Sequence, residues 1–159
     1  MAQRALIWAN SIEPALDALI LLRDTDGINE RKDGFEQAVV STKIGFPVVI
    51  GLPHTMIECW LLVGFKAGNE DETARLASMR SELGFQPCLQ GDQLTSANVT
   101  DKKNPKRVLS GLCNDSKERM VECCEVTELD FLEANGVSVN LTSFIREVRG
   151  KIAPLFGAV

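Results

Sequence analysis

Apolar residues along the chain come in short blocks set between charged stretches, and the block lengths predict the elements. ALILLR, residues 18–23, is a continuous apolar run that stops abruptly at charged residues. Its length suits a buried strand better than a helix. FPVVIGL, residues 46–52, is β-branched, apolar and bounded by Gly45 and Pro53, which predicts a second strand. Between them a polar loop over 24–34, closed by Gly34, leads into a helix over 35–43. Ahead of them, Leu6, Ile7, Ile12 and Leu16 predict a helical segment over 2–17, with Pro14 marking a break or a second short helix.

Helical signals dominate the rest. Thr55-Met56-Ile57-Glu58 fits a capping box, with threonine at the N-cap and glutamate at N3, and opens a helix through CWLLVGF. Residues 70–83 predict a charged amphipathic helix with Leu76, Met79 and Leu83 inward and Gly84 as its stop. Residues 85–103 carry little pattern. Asn104-Pro105 reads as N-cap and N1 of a helix to about Cys113. Asp115 or Ser116 opens the next helix, and Thr127 opens another that closes at Asn135-Gly136. Leu141, Phe144, Ile145, Val148 and Ile152 recur at helical spacing in the last, which ends at Pro154.

A strand, helix, strand and helix in succession imply a parallel pair joined by a crossover. The expected class is therefore α/β, a small parallel sheet with a mostly helical C-terminal half, in one domain over 1–159. Residues 1–65 form its α/β part and 66–159 its helical part. Two parallel strands are too few to stand alone. Further strands are expected from residues 86–89 or 120–126, from a second copy in a homo-oligomer, or from a partner polypeptide or an upstream segment.

Composition narrows the function. The 159 residues are 45% hydrophobic and 25% charged, an ordinary globular balance. No apolar run approaches the roughly 18 residues of a membrane span, and MAQRALIWANSIEP lacks the long apolar core and cleavage site of a signal peptide. The five cysteines form no CxxC pair and read as reduced thiols of a cytoplasmic protein. A net charge of −5 argues against coating nucleic acid through the overall field, while leaving room for a local basic patch and a metal ion.

The candidate chemistry sits at the strand ends, where ligands of α/β units bind. Asp24 and Asp26 follow the first strand. On an extended chain, positions i and i+2 point the same way, so two carboxylates would share a pocket suited to magnesium or manganese. An Asp-Gly turn accounts for the same residues. His54 and Glu58 follow the second strand. The capping box explains Glu58, and a loop at a helix start explains His54. Lys102, Lys103, Lys106 and Arg107 read either as a solvated helix start or as a phosphate-holding patch.

The stretches LILLRDTDG, PVVIGLPHTMIECWLL, DKKNPKRVLSGL and LTSFIREVRGKIAPLFG, in that order over about residues 18–157, together resemble a bacterial family related to the topoisomerase–primase (Toprim) domain. The branch is that of the OLD-type nucleases and related phage-defence proteins. The resemblance implies that Asp24 and Asp26 are the Asp-x-Asp metal ligands, holding Mg2+ or Mn2+, and that Asp24 serves catalysis. It implies that Glu58 is a further acidic site residue, catalytic or metal-binding. It also implies that Asp101, Pro105 and Lys106 belong to an interrupted Asp-Pro-Lys-like stretch. The implied activity is metal-dependent phosphodiester cleavage of nucleic acid. The alternative is a non-catalytic accessory or protein-interaction subunit that keeps the fold. A Toprim domain opens with a strand ending in a glutamate that acts as acid or base, and Glu13, beside Pro14, does not match it. Truncation, a first strand supplied from elsewhere, and lost catalysis all follow as expectations.

Overall fold

The computed structural model describes residues 2–28 and 30–157. Strand β1 (Leu19–Leu22) and strand β2 (Val48–Gly51) form a parallel two-stranded sheet in which Leu19 lies opposite Val48 and Leu22 opposite Gly51. Helix α1 (Ala2–Ala9) precedes β1, and helix α2 (Glu30–Ser41) makes the crossover. Together they cover one face of the sheet through Leu6, Ala38, Val48 and the half-buried Leu19, Leu21 and Ile50. Six more helices follow: α3 (Ile57–Gly64), α4 (Glu70–Leu83), α5 (Pro105–Leu112), α6 (Lys117–Glu125), α7 (Leu129–Asn135) and α8 (Leu141–Lys151). The chain is thus α/β with a small sheet and a helical C-terminal half.

Local signals explain three of the helix starts. Asn69, Asn104 and Ser116 each accept a hydrogen bond from the backbone N–H three residues on, satisfying one of the free donors of α4, α5 and α6. Gly84, in the left-handed region at φ 80°, stops α4.

Five expectations are corrected. The first helix ends at Ala9 rather than running to 17. The crossover helix starts at Glu30 and carries Gly34 within it instead of beginning at 35. Thr127 does not cap α7; its hydroxyl donates to the Gly64 carbonyl at 3.0 Å and so ties that segment to α3. Residues 86–89 form a turn and 120–126 run along α6, so neither adds a strand.

The fifth correction concerns the capping box. The N-cap of α3 is Met56, which leaves Glu58 at its second position. The Thr55 hydroxyl donates instead to the Leu94 carbonyl at 2.8 Å and pins the irregular 85–103 segment.

Helix α8 lies along the outer edge of β2. Lys151 Nζ donates to the Val48 carbonyl at 3.3 Å and Asn140 Nδ2 to the Leu52 carbonyl at 3.1 Å. On the sheet's second face, Gly51 lets Leu22, Trp60 and Phe144 converge: a Cβ there would lie 2.3 Å from Leu22 Cδ1 and 3.1 Å from Trp60 Cη2. Trp60 stacks at a tilt on Phe144, with ring centroids 4.8 Å apart, and donates its indole N–H to the Val139 carbonyl at 2.6 Å. The main core lies behind, among α3, α5 and the helices around them, with Leu62, Leu94, Leu109 and Leu112 fully buried.

Candidate functional site

The parallel pairing brings both strand ends to one side of the molecule. Beyond β1 the extended ladder continues: Thr25 N–H donates to the Pro53 carbonyl at 3.1 Å and Asp26 N–H to the Thr55 carbonyl at 2.9 Å. Buried Thr25 adds its hydroxyl to the Pro53 carbonyl at 2.9 Å. The Asp24–Gly27 segment is therefore fastened along the 53–55 segment rather than left as a free loop.

That fastening sets what Asp24 does. Its Oδ1 accepts from the Ile57 N–H at 2.9 Å. It supplies to α3, from 33 residues away, the carboxylate cap that Met56 cannot provide. A negative charge at this helix start is further favoured by the helix dipole.

Asp26 is not the second point on an extended chain. Its backbone is in the left-handed region at φ 49°, followed by Gly27 at φ 75°, so the Asp-Gly turn is real. The turn nevertheless leaves both aspartates on one open cleft of about 400 Å3, lined by Leu22, Arg23, Asp24, Asp26 and Ile57. Arg31 closes the turn. It pairs with the Asp26 carboxylate and donates to the Asp24 carbonyl at 3.0 Å. Arg23 and Arg31 are site residues that the strand-end pattern does not point to. Arg23 is the last residue of the apolar run, and Arg31 falls inside the crossover helix.

Glu58 follows Ile57 but does not line the cleft. Its side chain is mostly buried and its Oε1 lies 4.0 Å from Lys106 Nζ. Its Oε2 is buried with no hydrogen-bond partner. The remaining basic residues turn elsewhere. Arg107 pairs with Glu82 at 2.9 Å, Lys102 donates to the Glu82 carbonyl at 3.3 Å, and Lys103 lies 5.9 Å from the centre of the Phe85 ring. Of the four, Lys106 alone faces an acidic candidate. Half-buried His54 is held through its backbone N–H, which donates to the Val139 carbonyl at 3.2 Å. Asp101 turns its Oδ1 onto the Lys103 N–H at 2.8 Å, which makes it part of the turn before α5.

No set of three or more His, Cys, Asp or Glu side chains converges closely enough to enclose a metal among the described residues. All five cysteines are free and four are buried. Burial pushes the Cys88 and Cys113 thiols up to about 12, so they sit in the core as neutral groups. No helix of the described residues is long and apolar enough to cross a membrane. The chain matches no protein-family model, no curated protein and no solved structure.

Proposed function

We propose that the chain is a Toprim-like, magnesium- or manganese-dependent domain of the phosphodiester-cleaving type, with nucleic acid as its substrate class. One observation carries this reading: Asp24 and Asp26 line a single open cleft at the carboxyl ends of two parallel strands, where their carboxylates can meet a ligand from solvent. The donor set fits the ion. Magnesium takes hard oxygen ligands, needs only one or two protein carboxylates, and completes its shell with water and substrate phosphate. Asp24 spends Oδ1 on the Ile57 N–H, which fixes its orientation and leaves Oδ2 for the cleft. Asp26 would exchange Arg31 for the ion.

A divalent ion held there would supply Lewis-acid stabilisation of charge developing on the phosphate. The chain's own groups do the rest. Arg31 stands beside the cleft to hold phosphate oxygens. Glu58 stands off the cleft beside the start of α3, with Lys106 next to it, and would serve as an acidic neighbour of the site rather than touch the substrate.

A second reading, a non-catalytic interaction subunit, is favoured by a specific observation. Asp24 caps a helix and Asp26 is paired with Arg31, so both residues have structural partners already. Thermal melting with and without Mg2+ or Mn2+ separates the two. A metal-binding site raises the melting temperature of the wild type by linkage. Asp24→Asn with Asp26→Asn removes that rise while keeping the fold, because asparagine caps as well as aspartate. Equal melting shifts in both proteins, or none in either, favour the interaction subunit.

A further inference from the structure

The two edges of the sheet are treated differently. Helix α8 runs along the outer edge of β2, where Lys151 and Asn140 bond the Val48 and Leu52 carbonyls, whereas no helix side chain bonds the outward edge of β1 among the described residues. Leu19 N–H donates to the Pro47 carbonyl and Arg23 N–H to the Gly51 carbonyl. In a parallel pair the outward and inward groups alternate, so Ile20 and Leu22 turn their N–H and C=O groups away from β2. Among the described residues no other backbone or side chain bonds to them. Their side chains, on the face opposite α1 and α2, are 47% and 53% exposed. An uncharged apolar strand with a bare edge is a template for another strand.

We infer that this edge pairs with β1 of a second copy, antiparallel about a two-fold axis through Ile20, to make one continuous four-stranded sheet. The flanking charges select this occupant and this register. With Ile20 opposite Ile20 of the other copy, Leu22 faces Ala18 and Arg23 faces Asp17, in both directions. Ile20 and Leu22 are then hydrogen-bonded positions. Asp17 and Arg23 fall at a non-hydrogen-bonded position, where opposed side chains approach most closely. Both are exposed, and neither forms an ion pair among the described residues. The strand thus carries the complement of its own flanks, and self-pairing is isologous and closed. Pairing removes the exposed faces of Ile20 and Leu22 from water and satisfies their backbone groups.

Light scattering of the full chain across a concentration series tests this. The wild type is expected to rise from 17.4 kDa toward twice that mass. Ile20→Pro removes an outward donor without touching the β1–β2 ladder, and is expected to stay monomeric. Asp17→Arg sets two like charges opposite each other and weakens dimerisation by about three- to tenfold. Adding Arg23→Asp to it restores the attraction and the dimer. Circular dichroism checks that each variant folds; if Ile20→Pro does not, the charge pair decides. A wild type that remains at 17.4 kDa at every concentration overturns the proposal. So does a dimer indifferent to Asp17→Arg, or one that the double exchange fails to rescue.

Discussion

The front of the molecule and its rear are built to different degrees. Around α3 and α5, 17 buried apolar residues form one cluster. On the face of the sheet under α1 and α2, only Leu6, Ala38 and Val48 are fully covered among the described residues, and their neighbours are half-buried. The front also leaves Trp8 at 68%, Leu22 at 53% and Val40 at 85% exposure. Since stabilisation scales with apolar area removed from water, the rear carries most of the fold's stability. The candidate chemistry sits on the weaker part, joined to the stronger by the Asp24 carboxylate on α3. Sites that must admit a ligand or a partner are drawn from such regions.

The largest expected effect is at the buried ion pair of the rear. Arg119 donates Nε to one oxygen of Glu72 at 2.8 Å and Nη2 to the other at 3.1 Å, while Gly68 N–H donates to the same carboxylate at 2.7 Å. Glu72→Ala leaves the guanidinium only Glu122 at 3.5 Å and the Lys66 carbonyl, and should cost about 3 kcal/mol or somewhat more in denaturant unfolding. Arg119 holds the Glu72 carboxyl below its ordinary range. The folded pKa then lies below the unfolded value of about 4.3. This contribution is present above that value and is lost as pH falls through the folded pKa. Melting temperature should drop in acid for the wild type, and a Glu72→Gln protein should lack that component. Parallel acid curves would refute the assignment.

Next comes Gly64, at the end of α3. A Cβ there would lie 1.8 Å from the Cys123 carbonyl oxygen, which is backbone and cannot rotate away. Gly64→Ala should force α3 and α6 apart and cost about 3 kcal/mol. A loss below about 1 kcal/mol would mean that the two helices are not locked together.

A paired truncation sharpens the comparison directly. Leu109, 1% exposed, should lose about 2–5 kcal/mol on replacement by alanine. Half-buried Leu21 of β1 should lose about 1 kcal/mol, in keeping with its smaller buried area. Equal losses would show that front and rear are one core.

Signals confined to a few residues were legible in the sequence. The caps at Asn104 and Ser116 act three residues away, and α5 and α6 begin where those residues predict; the Asn69 cap of α4 is equally local, although only the helix span is predicted there. The two strands and their parallel pairing were legible from block length and β-branching. The cap of α3 was not, because its acceptor is 33 residues upstream and meets Ile57 only after the sheet has formed. Thr55 and Glu58 imitate a capping box there, but Thr55 bonds the Leu94 carbonyl and Glu58 sits at the second helical position beside Lys106. The shared cleft of Asp24 and Asp26 was anticipated, although a left-handed turn rather than an extended strand aims them. The basic cluster at 102–107 reads as one patch in sequence, yet Glu82 and Phe85 draw three of its members away. That partner choice depends on where α4 ends, which no local pattern contains.

Backbone hydrogen exchange, measured residue by residue with and without Mg2+, tests most directly whether a weakly stabilised front carries the metal site. Slow exchange is expected through α3 and α5, and faster exchange through α1, β1 and α2. Mg2+ is expected to slow exchange at Asp26, Gly27 and Ile57, around the Asp24 carboxylate. Uniform protection of both regions, with no change at those three amides on adding the ion, would contradict it.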